Sequence, residues 1–174
     1  SDLLGTFSKS IAPSLRISYM VLPLHLLKKY QESCSFYSTT VSKIQQEVLR
    51  EFIRGGYFGR HLNKMRGIYK NKHDFLVGEL KKKNWVENIA GDNAGLHVLV
   101  QVNTTLTEEE ICKKAAECGI RLMGIREHYI HTPPEGRPVL LLGYGKPDEQ
   151  EIQKGLEVLE SIITGRNSNN CKKP

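Results

Sequence analysis

The stretch GTFSKSIAPSLRISY, residues 5–19, decides how this chain is read. It sets two hydroxyls, Thr6 and Ser8, just ahead of Lys9, and puts Arg16 a short way beyond it. A lysine amine forms a Schiff base with an aldehyde. Hydroxyls and a guanidinium suit a phosphate dianion, because guanidinium pairs with phosphate oxygens through two parallel hydrogen bonds. A loop folding back after Lys9 would carry the Arg16 head toward the two hydroxyls. These are the residue types that a site for a phosphorylated aldehyde needs. Spacing alone leaves the ordinary alternative open, a polar loop ahead of a strand.

Working outward, residues 15–22 are apolar and β-branched and stop at Pro23, which predicts a strand. Residues 24–30 predict a short helix and residues 35–40 a polar turn. From Thr39 the apolar residues Val41, Ile44, Val48, Leu49 and Phe52 recur at helical spacing until Gly55-Gly56 ends the run. On the other side, residues 1–10 start neither a helix nor a strand. They read like the middle of a domain, so a fragment of a longer chain is expected.

A longer helix is predicted over 57–82, with Leu62, Met65, Ile68, Tyr69, Phe75, Leu76 and Leu80 on its apolar stripe. Arg60, Lys64, Arg66, Lys70 and Lys72 make a solvated face. After Trp85 the period changes. GLHVLVQV (95–102) predicts a buried strand, and 107–118 a helix opened by a Thr107/Glu110 capping box. A short strand over 120–125, a Pro/Gly loop over 132–137 and a strand over 138–144 follow. Pro147 opens the last helix, which buries Ile152, Leu156, Leu159, Ile162 and Ile163. The tail from Gly165 is polar. From Trp85 onward the order is strand, strand, helix, strand, strand, helix, a sheet backed by helices.

Composition narrows the function. The net charge of +6 is spread over several helices, with a clump at Lys172 and Lys173. No basic run is interleaved with aromatics, which argues against a nucleic-acid surface in this chain. The four cysteines form no CxxC pair and fit no common zinc spacing, so free thiols are the default expectation. His61, His97, His128 and His131 show no complete ligand spacing either, so no metal is expected. The apolar runs at 19–24 and 139–142 are far too short to span a membrane. These features predict a soluble, cytoplasmic protein.

Residues 5–19 resemble the cofactor-lysine motif of fold-type-I pyridoxal-phosphate (PLP) enzymes, S/T-x-S-K-x-x-x-P-x-x-R. The variant G-T-F-S-K-x-x-A-P-x-x-R-x-x-Y is similar to the MocR subgroup of GntR-type transcriptional regulators. Those proteins join a winged-helix DNA-binding domain to an aminotransferase-like domain. GYFGRHLNKMRGIY (56–69), AGLHVL (94–99) and LLLGY (140–144) resemble later stretches of the subgroup in the same order.

The resemblance implies an α/β fold with an α+β small lobe, the C-terminal part of a fold-type-I PLP-dependent transferase. Residues 1–55 would be a remnant of the large PLP-binding domain and 56–83 a long connecting helix. Residues 84–165 would form the small lobe and 166–174 a flexible tail. Lys9 would be the Schiff-base lysine, and its freed amine a general base for transamination. Its pKa would be lowered by positive neighbours and desolvation. Thr6, Ser8 and Arg16 would bind the cofactor phosphate.

Aminotransferases carry a substrate-carboxylate arginine in the strand before the last helix, where this chain has Leu141. Arg126 is the expected replacement, and its alternative is a surface pair with Glu127. Arg137, beside the loop, is expected in solvent. The family's ring-pairing aspartate, stacking aromatic, and asparagine and tyrosine lie ahead of the lysine motif, so turnover by this piece alone is not expected. The expected partners are PLP, a small amine or amino-acid effector and, in the parent, a second copy of the chain. DNA would be met only through an upstream domain. The alternative is part of a PLP-dependent class I/II aminotransferase acting on amino acids. A third reading is a cofactor-free interaction piece, marked by an unpaired sheet edge or an exposed apolar helix face.

Overall fold

The computed structural model describes residues 3–37, 39–91, 95–131 and 136–165. They fall into two compact units, residues 1–67 and 68–174.

The first unit is built on a hairpin. β1 (Leu3–Thr6) runs antiparallel to β2 (Ser18–Val21), with Leu3 opposite Val21 and Thr6 opposite Ser18. The connection holds a single helical turn, α1 (Phe7–Ser10), and a 3-10 turn over Pro13–Leu15. Proline suits the start of that turn because its ring fixes φ and its missing N–H is not needed there. α2 (Leu24–Cys34) follows Pro23, and α3 (Lys43–Arg54) is capped by the Ser42 hydroxyl, which accepts from Gln45 N at 3.2 Å. α3 closes at Gly55, and Gly56 turns the chain at φ 71°. The boundary between the units falls within α4 (Tyr57–Lys81).

Several expectations are corrected here. Residues 1–10 do start structure, namely β1 and α1. The strand expected over 15–22 is shortened, because the turn begun at Pro13 still occupies Leu15. The helix expected over 24–30 continues to Cys34. The helix expected from Thr39 starts at Lys43, since the Thr39 hydroxyl accepts from Val41 N at 3.2 Å and holds a local turn instead.

The second unit is a four-stranded antiparallel sheet in the order β3 (Val86–Ala90), β4 (His97–Val102), β6 (Val139–Gly143), β5 (Met123–Gly124). α5 (Glu108–Glu117) and α6 (Glu149–Thr164) complete it. Val98, Val100, Val102, Leu140 and Leu142 join Leu76, Val77 and Leu80 of α4, Ile111 of α5 and Leu156, Leu159 and Ile163 of α6 in one core. Burying each such side chain stabilises the fold by about 1.5–3 kcal/mol.

The capping box read at Thr107 is present. Glu110 N donates to the Thr107 hydroxyl at 3.2 Å and Thr107 N to the Glu110 carboxylate at 2.8 Å. A second box, Asp148 with Glu151, caps α6, so Pro147 stands just outside the helix rather than opening it. The short strand expected over 120–125 is reduced to β5. Among the described cysteines, Cys34 and Cys112 are free thiols. Cys118 is disulfide-bonded, which corrects the expectation of free thiols throughout. Cys171, Ala94, residues 132–135 of the expected Pro/Gly loop and the expected tail over 166–174 lie outside the described residues.

Candidate functional site

The lysine loop is tied across its neck by one carbonyl. Ile17 O accepts from Phe7 N at 2.9 Å and from the Thr6 hydroxyl at 3.2 Å. The chain therefore folds back after Lys9 and brings the residue next to Arg16 against Thr6. The Thr6 oxygen also caps α1 by accepting from Ser8 N at 3.2 Å, and Ser10 Oγ donates to Thr6 O at 3.3 Å. Arg16 itself sits in the left-handed region, φ 50° and ψ 33°, as the cap of the 3-10 turn. Lys9 and Arg16 are exposed, while Thr6 and Ser8 are half-buried.

An aromatic run, unread in the sequence, holds the loop down. The Phe7 ring lies 5.1 Å from Tyr19 and 5.9 Å, edge-on, from Phe58. Phe58 meets Phe52 at 6.4 Å, and Phe52 stacks on Tyr57 at 6.0 Å. Such pairs contribute about 0.5–1.5 kcal/mol each beyond their buried area. Gly5 lets the Tyr19 ring lie close over the strand, because a Cβ there would push that ring aside. The signal available in the sequence was the recurrence of single aromatics at each end of the helices, Phe52 before Gly55 and Tyr57-Phe58 after it. Arg60 is exposed, as expected, and lies over Tyr57 at 4.7 Å while donating to Gly55 O at 3.1 Å.

In the second unit, Arg126 lies on a 3-10 turn after β5. Its expected alternative partner was Glu127. The guanidinium Nε stands instead 3.9 Å from Glu108, and Nη2 donates to Gly136 O at 3.2 Å. Glu108 is 6% exposed, the buried charged residue among those described. It accepts from Arg126 N and Val139 N, both at 2.9 Å, so one carboxylate joins the start of α5 to the segment after β5 and to β6. Gly124 must lack a Cβ because Glu108 occupies that space. Burial pushes the nearby Cys112 thiol up, and the Glu127 and Glu108 charges act the same way. A raised thiol pKa means little thiolate and low reactivity. Leu141 pairs with Leu99 on one side and Met123 on the other, a row of apolar residues. Arg137 is exposed, as expected, and its Nε lies 3.2 Å from Glu87. Among the described residues no helix is long and apolar enough to cross a membrane, and there is no cluster of metal ligands.

The fold is that of the fold-type-I PLP aminotransferases. A multiple substrate aminotransferase from Thermococcus profundus matches 93% of this chain over 40% of its own length, with a TM-score of 0.78 at 22% identity. The α-aminoadipate aminotransferase LysN from Thermus thermophilus matches 94% over 42% of its length, with a TM-score of 0.77 at 22% identity. The aminotransferase class I and II family matches residues 3–154, and the chain belongs to that family.

Among curated relatives, the uncharacterised HTH-type transcriptional regulator YdeL of Bacillus subtilis strain 168 is 38% identical over 91% of this chain and 34% of its own length. The probable rhizopine catabolism regulatory protein MocR of Rhizobium meliloti is 28% identical over 92% and 32%. The chain thus spans about a third of the length of these relatives.

The family implies PLP as cofactor, and the loop residues fit it. The Lys9 amine, the Ser8 hydroxyl and the Arg16 guanidinium stand on a single tied loop, groups of the kind a phosphorylated aldehyde needs, while the Thr6 hydroxyl already donates to Ile17 O.

Proposed function

We propose that this chain is the PLP-binding, effector-sensing part of a GntR/MocR-type transcriptional regulator. The observation that carries the reading is the 38% identity to an HTH-type regulator over 91% of the chain. Lys9 holds the cofactor covalently, and Thr6, Ser8 and Arg16 hold its phosphate. When bound, PLP supplies an electron sink for the carbon that carries the amine. The freed Lys9 amine takes and returns the proton there. Arg126 is the proposed contact for an effector carboxylate.

Residues 1–55 belong to the large cofactor domain, 56–83 to a connecting helix and 84–165 to the small lobe. The exposed apolar face of α3, with Ile44 78% and Val48 65% exposed, supports completion of the first part by other chain. The full protein acts in the cytoplasm as a homodimer that meets DNA through a further domain. A small amine or amino acid shifts its conformational equilibrium. Leu141, apolar where aminotransferases carry the carboxylate arginine, favours sensing over amino-acid turnover.

The test is absorbance of the purified chain with added PLP, then borohydride reduction and peptide mapping. The expected result is an imine band with the label on Lys9, absent in Lys9→Ala and shifted by amines. Label scattered over surface lysines, or an unchanged band in Lys9→Ala, would overturn the assignment.

A further inference from the structure

The second unit carries an open cleft of about 440 Å³. Leu76, Leu142, Ile152, Leu156 and Leu159 form its floor, and each is a buried member of the core. The rim is basic. Arg121 and Lys146 are exposed there, and among the described residues neither makes an ion pair. The acid on the wall, Glu151, is already committed, since its carboxylate accepts from Asp148 N at 2.9 Å in the α6 capping box. The cleft therefore has an apolar bottom and an unneutralised positive edge.

Gly155 lies on its α6 wall, and a Cβ built there meets nothing within 4 Å. A glycine inside a helix costs about 1 kcal/mol relative to alanine. The helix gives up that stability at a position where a side chain would intrude on the cleft.

We infer that this cleft binds a small carboxylate with an apolar body, the tail on the leucine floor and the carboxylate at the Arg121 and Lys146 rim. The volume falls in the range of small-molecule sites, roughly 300–1,000 Å³. Such sites join an apolar lining to a few polar groups that fix orientation. A bare inorganic anion would leave the floor wet, and a neutral hydrocarbon would leave two cations without a counter-charge. The contact at an exposed rim is screened by salt.

The test uses 4-phenylbutyrate, titrated into the whole chain and followed through backbone amide resonances. Saturable shifts centred on Gly143 and Gly155 are expected, weakening as salt rises. The uncharged 4-phenylbutyramide is expected to bind about tenfold more weakly. Replacing both rim cations, Arg121→Ser with Lys146→Ser, is expected to erase that preference. Both are exposed, so the fold stays intact. Gly155→Leu fills the cleft with a better helix former and is expected to abolish binding of both ligands while the thermal midpoint is kept or raised. The inference is overturned by the absence of saturable binding, by equal binding of acid and amide, by shifts clustered elsewhere, or by a folded Gly155→Leu chain that binds as before.

Discussion

In residues 68–165, Leu80, Val98, Val100, Val102, Ile111 and Leu140 are sealed from solvent, and one buried carboxylate finds two backbone donors. In residues 3–67, Ile17 is the buried residue among those described, while Leu24, Phe36, Ile44 and Val48 stand well exposed. Both stretches carry amphipathic helices, so amphipathicity alone does not distinguish them. The difference lies in what each apolar face meets. The second unit closes its sheet with helices of its own, and the first leaves α2 and α3 without any buried residue. Such helices draw little stability from packing within this chain. An amphipathic face without an internal partner teaches where a chain expects more protein.

The contrast can be broken by truncation. Leu80→Ala removes a fully buried side chain and is expected to cost roughly 2–5 kcal/mol in urea unfolding. A loss below about 1 kcal/mol would mean that the second core is not as closed as its burial implies. Next comes Glu108→Ala, which strands two backbone N–H groups and is expected to cost about 1–3 kcal/mol, with Glu108→Gln retaining part of the loss. Thr107→Ala removes one cap oxygen and should cost about 1 kcal/mol.

The same capping box sets a pH dependence. Hydrogen bonds from the Thr107 backbone, then from its hydroxyl, hold Glu110 below the usual carboxylate range. Because the folded value is the lower one, the stabilisation is complete above the ordinary glutamate range. It is lost as pH falls through the folded value. Glu110→Gln should therefore flatten the unfolding midpoint against pH by lowering the neutral plateau, with the acid end little changed. Smallest of all is Ile44→Ser, on the open face of α3, expected to shift stability by less than about 0.5 kcal/mol. It should lower self-association in light scattering. A large loss of stability there would close the contrast between the two stretches.

The legible parts of the sequence were those with long periods. GLHVLVQV is a largely apolar run read as a buried strand and became β4, with Val98, Val100 and Val102 turned inward. Thr107 with Glu110 announced α5, and the α6 stripe at Ile152, Leu156, Leu159 and Ile163 is buried as read. β1 and α1 stayed hidden because four residues are too few to show a period, and β1 depends on a partner strand across the whole loop.

For the candidate site, the types and spacing of Thr6, Ser8, Lys9 and Arg16 were readable, and so was the fold-back. The Ile17 carbonyl that ties the loop was not, since any residue offers one. Glu108 was hidden by its neighbours. In the run Glu108, Glu109, Glu110 it looks like ordinary acid at a helix start, and nothing local says that one of the three is buried. Arg126 was read as a carboxylate contact with Glu127 as the alternative partner, and the carboxylate beside it in the fold is Glu108, at the start of α5.

Arg16 holds a left-handed backbone at φ 50° without being glycine. That conformation costs an ordinary L-residue roughly 1–2 kcal/mol, and a glycine would relieve it. A loop shaped only for its own comfort would carry Gly at this position. Keeping a long cationic side chain there fixes the direction in which its stem leaves the turn, so backbone tension is converted into aim. Arg16→Gly and Arg16→Lys then separate two quantities that most loops confuse, the ease of the turn and the bearing of its charge.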